Sequence, residues 1–475
     1  MRSSWNLLVA VAAGLMLAPQ LATASDVEEQ LRQMQDRMSQ LEDKLQAQDD
    51  QLGAAEQRVA EQQRVIEDAG LNDESAGSAL SRFLEQTEFG GNVAASWNWN
   101  FNNPTAAQIG TLGNPGANNL GATGTGFTTG IPGTPGLNNG ALGLTAPFHS
   151  NHNSFQVDQL LFSMMKPATV ESRGGFGIDL AYGASADRLR NGGFGINSGD
   201  ASFLYQAYAE YLAPIGNGLL VKGGRFETLL GAEVFRQDQN LNVTRGLVYA
   251  MQPTSHTGLL LSGEVGAGIT LAAGVANDTT NTMADSDRDK AVLGQIAWSG
   301  ETAGLAVNGY SGGDVLNPFS TYNGVAGVTT GVGRDGDRLS ILDVVATWDP
   351  SDQLSIWANY DYFWTNKEGP ATSTNYWGVA AGGRYGVTDA MGVGVRSEVV
   401  RSGKAANFNT LLWEVTATLD YALTDNLKTL LEVRYDRGSG GGTAAPTKFF
   451  ASNNFGTALS RKDQTLALIQ MLYSF

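Results

Sequence analysis

The stretch NVAASWNWNF, residues 92–101, sets Val93, Ala95, Trp97, Trp99 and Phe101 on one side of an extended chain. Asn92, Ser96, Asn98 and Asn100 fall on the other. A period of two is the signature of a β-strand, whose successive side chains point to opposite faces. Two tryptophans opposite a row of asparagines pose the question that decides the fold: which face meets water.

The same alternation recurs along the chain. FGIDLAY (176–182), LSIWANYDYFW (354–364), LLWEVTATLDY (411–421), LKTLLEVRYDR (427–437) and QTLALIQMLYSF (464–475) each set apolar or aromatic residues against small, polar or charged ones. Strand starts fall near residues 91, 155, 175, 202, 218, 257, 268, 291, 304, 339, 354, 376, 391, 411, 427 and 464, about 16 strands in all. Short turns occur at APIGNG (213–218), WSGET (298–302), WDPSDQ (348–353), YGVTDAM (385–391) and YALTDN (421–426). Pro, Gly, Asn and Asp supply the turn geometry there. Long links occupy 102–153, 184–201, 229–255, 277–290, 311–337 and 437–463. Tight turns at one end and long loops at the other describe an antiparallel meander of the kind that closes into a transmembrane barrel.

A soluble sandwich or propeller shares the alternation, so orientation has to be argued separately. The non-apolar face carries Arg384, Arg396, Glu398, Glu432 and Arg434, too many ionised groups for a dry core. Trp97, Trp99, Phe101, Tyr360, Tyr362, Trp364, Tyr435 and Tyr473 lie toward strand ends on the apolar face, as interfacial girdles do. The apolar flank is therefore expected to meet lipid and the polar flank a hydrated lumen. A sheet bathed in hydrocarbon must close on itself, because a free edge would find no hydrogen-bond partner.

Ahead of the barrel, expected over 89–475, the chain changes character. Residues 1–24 read as a secretory signal peptide, with an apolar core from Leu7 to Ala18 and cleavage after Ala24. Over 26–68 the residues Val27, Leu31, Met34, Met38, Leu41, Leu45, Leu52, Ala55, Val59 and Ile66 keep a heptad register, which predicts an α-helical coiled-coil stalk. Residues 69–88, where Gly70, Asn72 and Gly77 among small polar residues break the heptad register, read as a linker. Of the formal net charge of −17, residues 26–88 hold 16 acidic and 6 basic side chains, so the acidity belongs mainly to the stalk and linker. No basic patch supports nucleic-acid binding, and the absence of cysteine excludes disulfide staples and thiolate chemistry.

GGRFETLLGAE (223–233), NLNVTRGLVYAMQPTSHTG (240–258), RSEVVRSG (396–403) and TATLDYALTDNLKTLLEVRYDRGS (416–439) resemble the β-barrel porins of the OmpL-like group. GVANDTTNTMADSDRDK (274–290) departs from that pattern, since Asn-Gly-Trp-Asp is common there in the group. The resemblance implies passive diffusion of small hydrophilic solutes through an outer-membrane channel without a cofactor. A stalk followed by a barrel is also similar to trimeric porins with periplasmic coiled coils, which implies a trimer with its stalk in the periplasm and outer-membrane lipid as surroundings, and Phe475 resembles the signal by which outer-membrane barrels are recognised by the barrel assembly machinery.

The link from Leu229 to Ser255 is the expected constriction, because FRQDQNLNVTRG (235–246) mixes Arg236, Asp238 and Arg245 with amide side chains. Arg245 is expected either to project into the lumen and select solutes or to tie the loop to the wall by a salt bridge. Arg384, Arg396, Glu398, Glu432, Arg434 and Asp436 are the expected pore-lining charges on the wall. Enzyme chemistry is not expected. His149 and His152 lack a third strong ligand, His256 has no nucleophile context, and the carboxylates of MADSDRDK (283–290) lack an EF-hand's glycine and terminal glutamate. The rival function is a non-conducting barrel that serves as an envelope anchor or adhesin.

Overall fold

The computed structural model describes residues 83–103, 148–149, 152–186, 202–277, 289–313, 338–366, 375–402, 409–441, 450 and 461–475, with Arg32, Gln46, Gly53 and Ser81 besides. The chain divides into two compact units, Met1–Leu84 and Glu85–Phe475. In the first, the described residues are helical. The signal peptide, all of the expected stalk but Arg32, Gln46 and Gly53, and most of the linker lie outside the described residues.

The second unit is a closed antiparallel barrel of sixteen strands, each bonded to its neighbours in sequence and the last to the first. The strands are β1 (Glu88–Asn100), β2 (Ser154–Lys166), β3 (Gly174–Tyr182), β4 (Ser202–Ala213), β5 (Leu219–Glu227), β6 (Ser255–Gly266), β7 (Ile269–Ala276) and β8 (Ala291–Ser299). They continue as β9 (Ala303–Gly313), β10 (Arg338–Ser351), β11 (Leu354–Asn366), β12 (Asn375–Thr388), β13 (Met391–Ser402), β14 (Asn409–Ala422), β15 (Leu427–Gly441) and β16 (Asp463–Ser474). Every expected strand is present, including those near 257 and 291 as β6 and β8. Two loop-end connections, 367–374 and 403–408, are short enough to have escaped the reading of long links, and β15 runs four residues further than expected, to Gly441.

Closure follows from the final residues. β1 pairs with β16 from Asn92↔Ser474 to Asn100↔Leu466. Phe475 extends that ladder: its N–H donates to the Gly91 carbonyl at 3.1 Å, and the Gly91 N–H donates to the Phe475 carbonyl at 2.9 Å. Gly91 leaves room for this, since a Cβ there would meet the Leu161 carbonyl oxygen at 2.0 Å and the Phe475 ring at 2.9 Å.

Exposure alternates as the opening stretch requires. Val93 and Phe101 are exposed while Asn92, Ser96 and Asn98 are buried. Outward aromatic residues form two belts. Trp298, Trp348, Tyr385, Tyr421, Tyr473 and Phe475 lie at the turn end. Trp99, Phe101, Tyr362, Trp364, Trp377 and Trp413 lie at the loop end. The inner face is less uniform than its expected polar character. Leu430, Leu466, Leu468 and Leu472 point inward with Ala94 and pack around Val243, a residue of the β5–β6 connection. That connection fills space which the alternation alone would leave to water.

Candidate functional site

Residues 228–254, between β5 and β6, fold into the barrel. The neck is closed by the Thr228 N–H donating to the Thr254 carbonyl at 3.1 Å, and the Tyr205 hydroxyl donates to that carbonyl at 3.1 Å. Two arms then run side by side. The Arg245 guanidinium joins them by donating to the carbonyls of Val234 at 2.8 Å, Phe235 at 3.1 Å and Arg236 at 3.2 Å, and to Gln237 Oε1 at 3.1 Å. The Gly246 N–H donates to Glu233 Oε2 at 2.7 Å. A Cβ at Gly246 would meet the Glu398 carboxylate at 2.0 Å, so a larger residue there would push that carboxylate from its place beside the Leu247 N–H.

The wall holds the loop by charge-assisted hydrogen bonds, which are stronger than neutral ones. Glu432 accepts from the N–H groups of Val243 at 2.6 Å and Thr244 at 3.1 Å, and from the Thr244 hydroxyl at 2.6 Å. Arg396 donates to the Thr244 carbonyl at 2.6 Å, to Glu233 Oε1 at 2.7 Å and to Glu414 Oε1 at 2.9 Å. Arg434 donates to the Arg245 carbonyl at 2.7 Å and to Asp436 Oδ1 at 2.9 Å. The Leu247 N–H donates to Glu398. Farther along, the Gln237 N–H donates to Gln159 Oε1 and Asn92 donates to Asp238, while Gln252 donates to Asp361 Oδ2 at 2.7 Å.

Apolar packing works in parallel. Leu230, Leu247, Val248 and Met251 join inner-wall residues including Leu293, Ile341, Phe363 and Val400. Full burial of each such side chain contributes about 1.5–3 kcal/mol. Phe235 and Tyr249 pack with Phe148, Leu161 and Tyr205 on the opposite side.

These contacts correct the reading of the wall charges. Arg396, Glu398, Glu432, Arg434 and Asp436 point inward as expected, but all are at most 3 % exposed and do not line open water. Arg396, Glu398, Glu432 and Arg434 are the sockets of the loop, and Asp436 supports Arg434 from the loop end of the wall. Arg245 is likewise fully buried and its partners are backbone carbonyls and Gln237, so it neither projects into the lumen nor bridges to the wall. Desolvation pulls its pKa below the ordinary guanidinium value. An isolated charge-rich motif gives no sign of which charges a loop will cover.

Three expected residues do stand in accessible positions. Arg236 and Asp238 pair at 2.9 Å on the open edge of the loop, beside the exposed Gln239. Desolvation works to lower the Arg236 pKa, and the Asp238 carboxylate outweighs it, leaving that pKa above its ordinary value. Arg384, its side chain 42 % exposed, pairs with Asp420 through two hydrogen bonds of 2.6 and 2.9 Å. Arg384 is on β12 and Asp420 on β14; the guanidinium crosses β13 over Gly392, where a Cβ would meet Arg384 Nη2 at 2.2 Å. Asp420 was missed in the sequence, as were the loop's own carboxylate Glu233 and the buried Glu414. The pairing of Glu233 with Arg396 spans 163 residues, beyond the reach of any local pattern.

The histidines separate. His149 lies inside, 3.2 Å from Asp158. His152 lies against Trp99 on the outer side, ring centroids 4.8 Å apart, and its Nδ1 accepts from the Asn100 N–H. Burial lowers the His152 pKa. Facing opposite ways, the two do not share a ligand. His256 is buried, stacked on Tyr310 with Nε2 2.9 Å from Thr228 Oγ1. Among the described residues no three His, Cys, Asp or Glu side chains are grouped to hold a metal.

The family model described as "Putative beta-barrel porin-2, OmpL-like" matches residues 86–475. Among solved structures, OmpT of Vibrio cholerae aligns at 10% identity over 82% of this chain and 97% of its own, with a TM-score of 0.49. An anion-selective porin from Comamonas acidovorans aligns at 10% identity over 82% and 99%, TM-score 0.48. The outer membrane channel DcaP of Acinetobacter baumannii aligns at 12% identity over 82% and 97%, TM-score 0.47. No curated protein matches the sequence.

Proposed function

This chain belongs to the OmpL-like β-barrel porin family, and on that premise we propose that it is a diffusion channel of the outer membrane of Gram-negative bacteria for small hydrophilic solutes. A sixteen-stranded barrel is wide enough to enclose an aqueous path. The observation that carries the reading is the inserted 228–254 loop, whose buried side is bonded to the wall and whose open edge presents Arg236, Asp238 and Gln239. Solutes would meet that edge and the Arg384–Asp420 pair at the turn end of the wall. Charges of both signs at each place orient polar solutes and impose only weak overall ion preference.

In this reading the chain assembles as a trimer, Phe475 is presented to the assembly machinery, and residues 26–68 form the periplasmic stalk. A second reading, a non-conducting envelope anchor or adhesin, draws on one observation. Inner-face residues at the loop end such as Asn98, Asp436 and Gln464 are as buried as those beneath the inserted loop. Planar-bilayer recording of the purified full-length protein separates the two. Stepwise conductance, together with liposome swelling that slows as sugar size increases, is the expected result. Folded, inserted protein that passes no current would sink the channel reading and leave the anchor.

A further inference from the structure

The outer face of β10–β16 is apolar or aromatic along most of its length, and its cationic side chains stand only near the loop end. Arg338, Arg401 and Arg437 each lie ten residues along the strand from the first outward residue at the turn end, Trp348, Met391 and Leu427 respectively. At the strand rise and tilt of such barrels that is about 25 Å across the membrane, the full height of the apolar band. The opposite rim has the other sign. The turns joining β8 to β9, β10 to β11, β12 to β13 and β14 to β15 expose Glu301, Asp352, Asp389 and Asp425 and contain no lysine or arginine.

Arg401 and Arg437 are exposed on β13 and β15, flanking β14. Trp413 on β14 is directly opposite Arg437, and Trp377 on β12 is directly opposite Arg401. Two strand spacings and a two-residue offset put the Arg401 and Arg437 backbones roughly 12 Å apart, within which two long guanidinium arms reach a common anion. Among the described residues Arg437 has no hydrogen bond or ion pair through its side chain. Its cross-strand neighbour Asp463 instead accepts from the Tyr435 hydroxyl at 3.3 Å. The Tyr435 ring packs on Trp413 at 5.4 Å.

We propose that Arg401 and Arg437, with Trp377 and Trp413, form a binding site for the phosphate-bearing head group of an anionic lipid in the leaflet at the loop end. Guanidinium forks match phosphate oxygens, and the indole rings sit at the depth where a head group meets its acyl chains. An arginine on the lipid face is tolerated best at the interface, where an anion compensates its desolvation. The site needs the membrane barrel but not an open channel, so it stands or falls independently of conductance.

Native mass spectrometry of the full-length protein in detergent, mixed with equal phosphatidylglycerol and phosphatidylcholine, tests it. The wild type is expected to retain phosphatidylglycerol at least fivefold over phosphatidylcholine. The R401Q/R437Q double variant should lose that preference, and R338Q, remote from the two tryptophans, should keep it. Heat-modifiable electrophoresis checks that each barrel is folded; if the double variant fails to fold, R437Q alone is read, with at least a twofold loss expected. Equal retention of both lipids by the wild type, or an undiminished preference in the folded variant, overturns the proposal. Displacement of phosphatidylglycerol by 20-fold excess inorganic phosphate would point to a free-phosphate site and overturn the lipid assignment.

Discussion

The wall of this barrel carries two sets of arginine–carboxylate pairs on neighbouring strands, and they behave as different materials. Arg396, Glu414 and Arg434 on β13–β15 are wholly buried beneath the inserted loop, with Glu233, Glu432 and Asp436 around them. Arg384 and Asp420 on β12 and β14 pair in the same residue chemistry, but the arginine side chain keeps 42 % of its surface in solvent while Asp420 is nearly covered. Residue type does not tell these sets apart; the covering loop does. Under cover, a charge must be matched by partners or it destabilises the fold, and so becomes an anchor. Where a partner keeps part of its surface in water, the pair adds little to stability.

The comparison is broken most directly at Arg396. In Arg396→Met, Glu233, Glu414 and the Thr244 carbonyl all lose a donor. Stranding such partners costs about 3–5 kcal/mol. Thermal unfolding in detergent should show a large drop in midpoint together with new proteolytic cleavage near residue 244. An unchanged midpoint would mean that the wall charges do not hold the loop. Glu432→Gln is milder, since an amide oxygen still accepts but the charge that strengthens three bonds to Val243 and Thr244 is gone. The expected loss is about 1.5–3 kcal/mol, accompanied by noisier single-channel currents as the loop tip loosens.

Gly246→Ala sharpens the same point by sterics alone. A methyl there displaces the Glu398 carboxylate and breaks its bond to the Leu247 N–H, a loss of about 1–3 kcal/mol. Placing the alanine instead at Gly309, whose Cβ would have open space, should leave the unfolding midpoint unchanged. The smallest stability effect belongs to the partly exposed Arg384. Arg384→Gln should change unfolding by less than about 1 kcal/mol. It should nevertheless shift reversal potentials toward cations in a salt gradient, because Asp420 is left uncompensated. A selectivity change in Arg245→Ala but none in Arg384→Gln would invert the assignment of which arginines solutes meet.

Strand positions were legible because period-two alternation and turn chemistry are local. NVAASWNWNF and LLWEVTATLDY carry their own orientation once a lipid-facing exterior is recognised. The inserted loop was legible as a segment, for 228–254 is long, charged and dense in family motif. Its internal chemistry was not. Arg245 read as either a solute contact or a salt bridge to the wall because a sequence shows charge without burial or partners. Asp420 drew no notice because its partner lies two strands away, over a glycine.

By itself, then, the amino-acid order determined a membrane barrel with sixteen strands, its inward and outward faces, and the loop that enters it. Those properties follow from nearest-neighbour geometry and from the need to satisfy every backbone amide in hydrocarbon. Only the folded arrangement decided which charges are sockets and which are surfaces. That choice depends on side chains brought together from more than a hundred residues apart, and on whether water still reaches them when they meet.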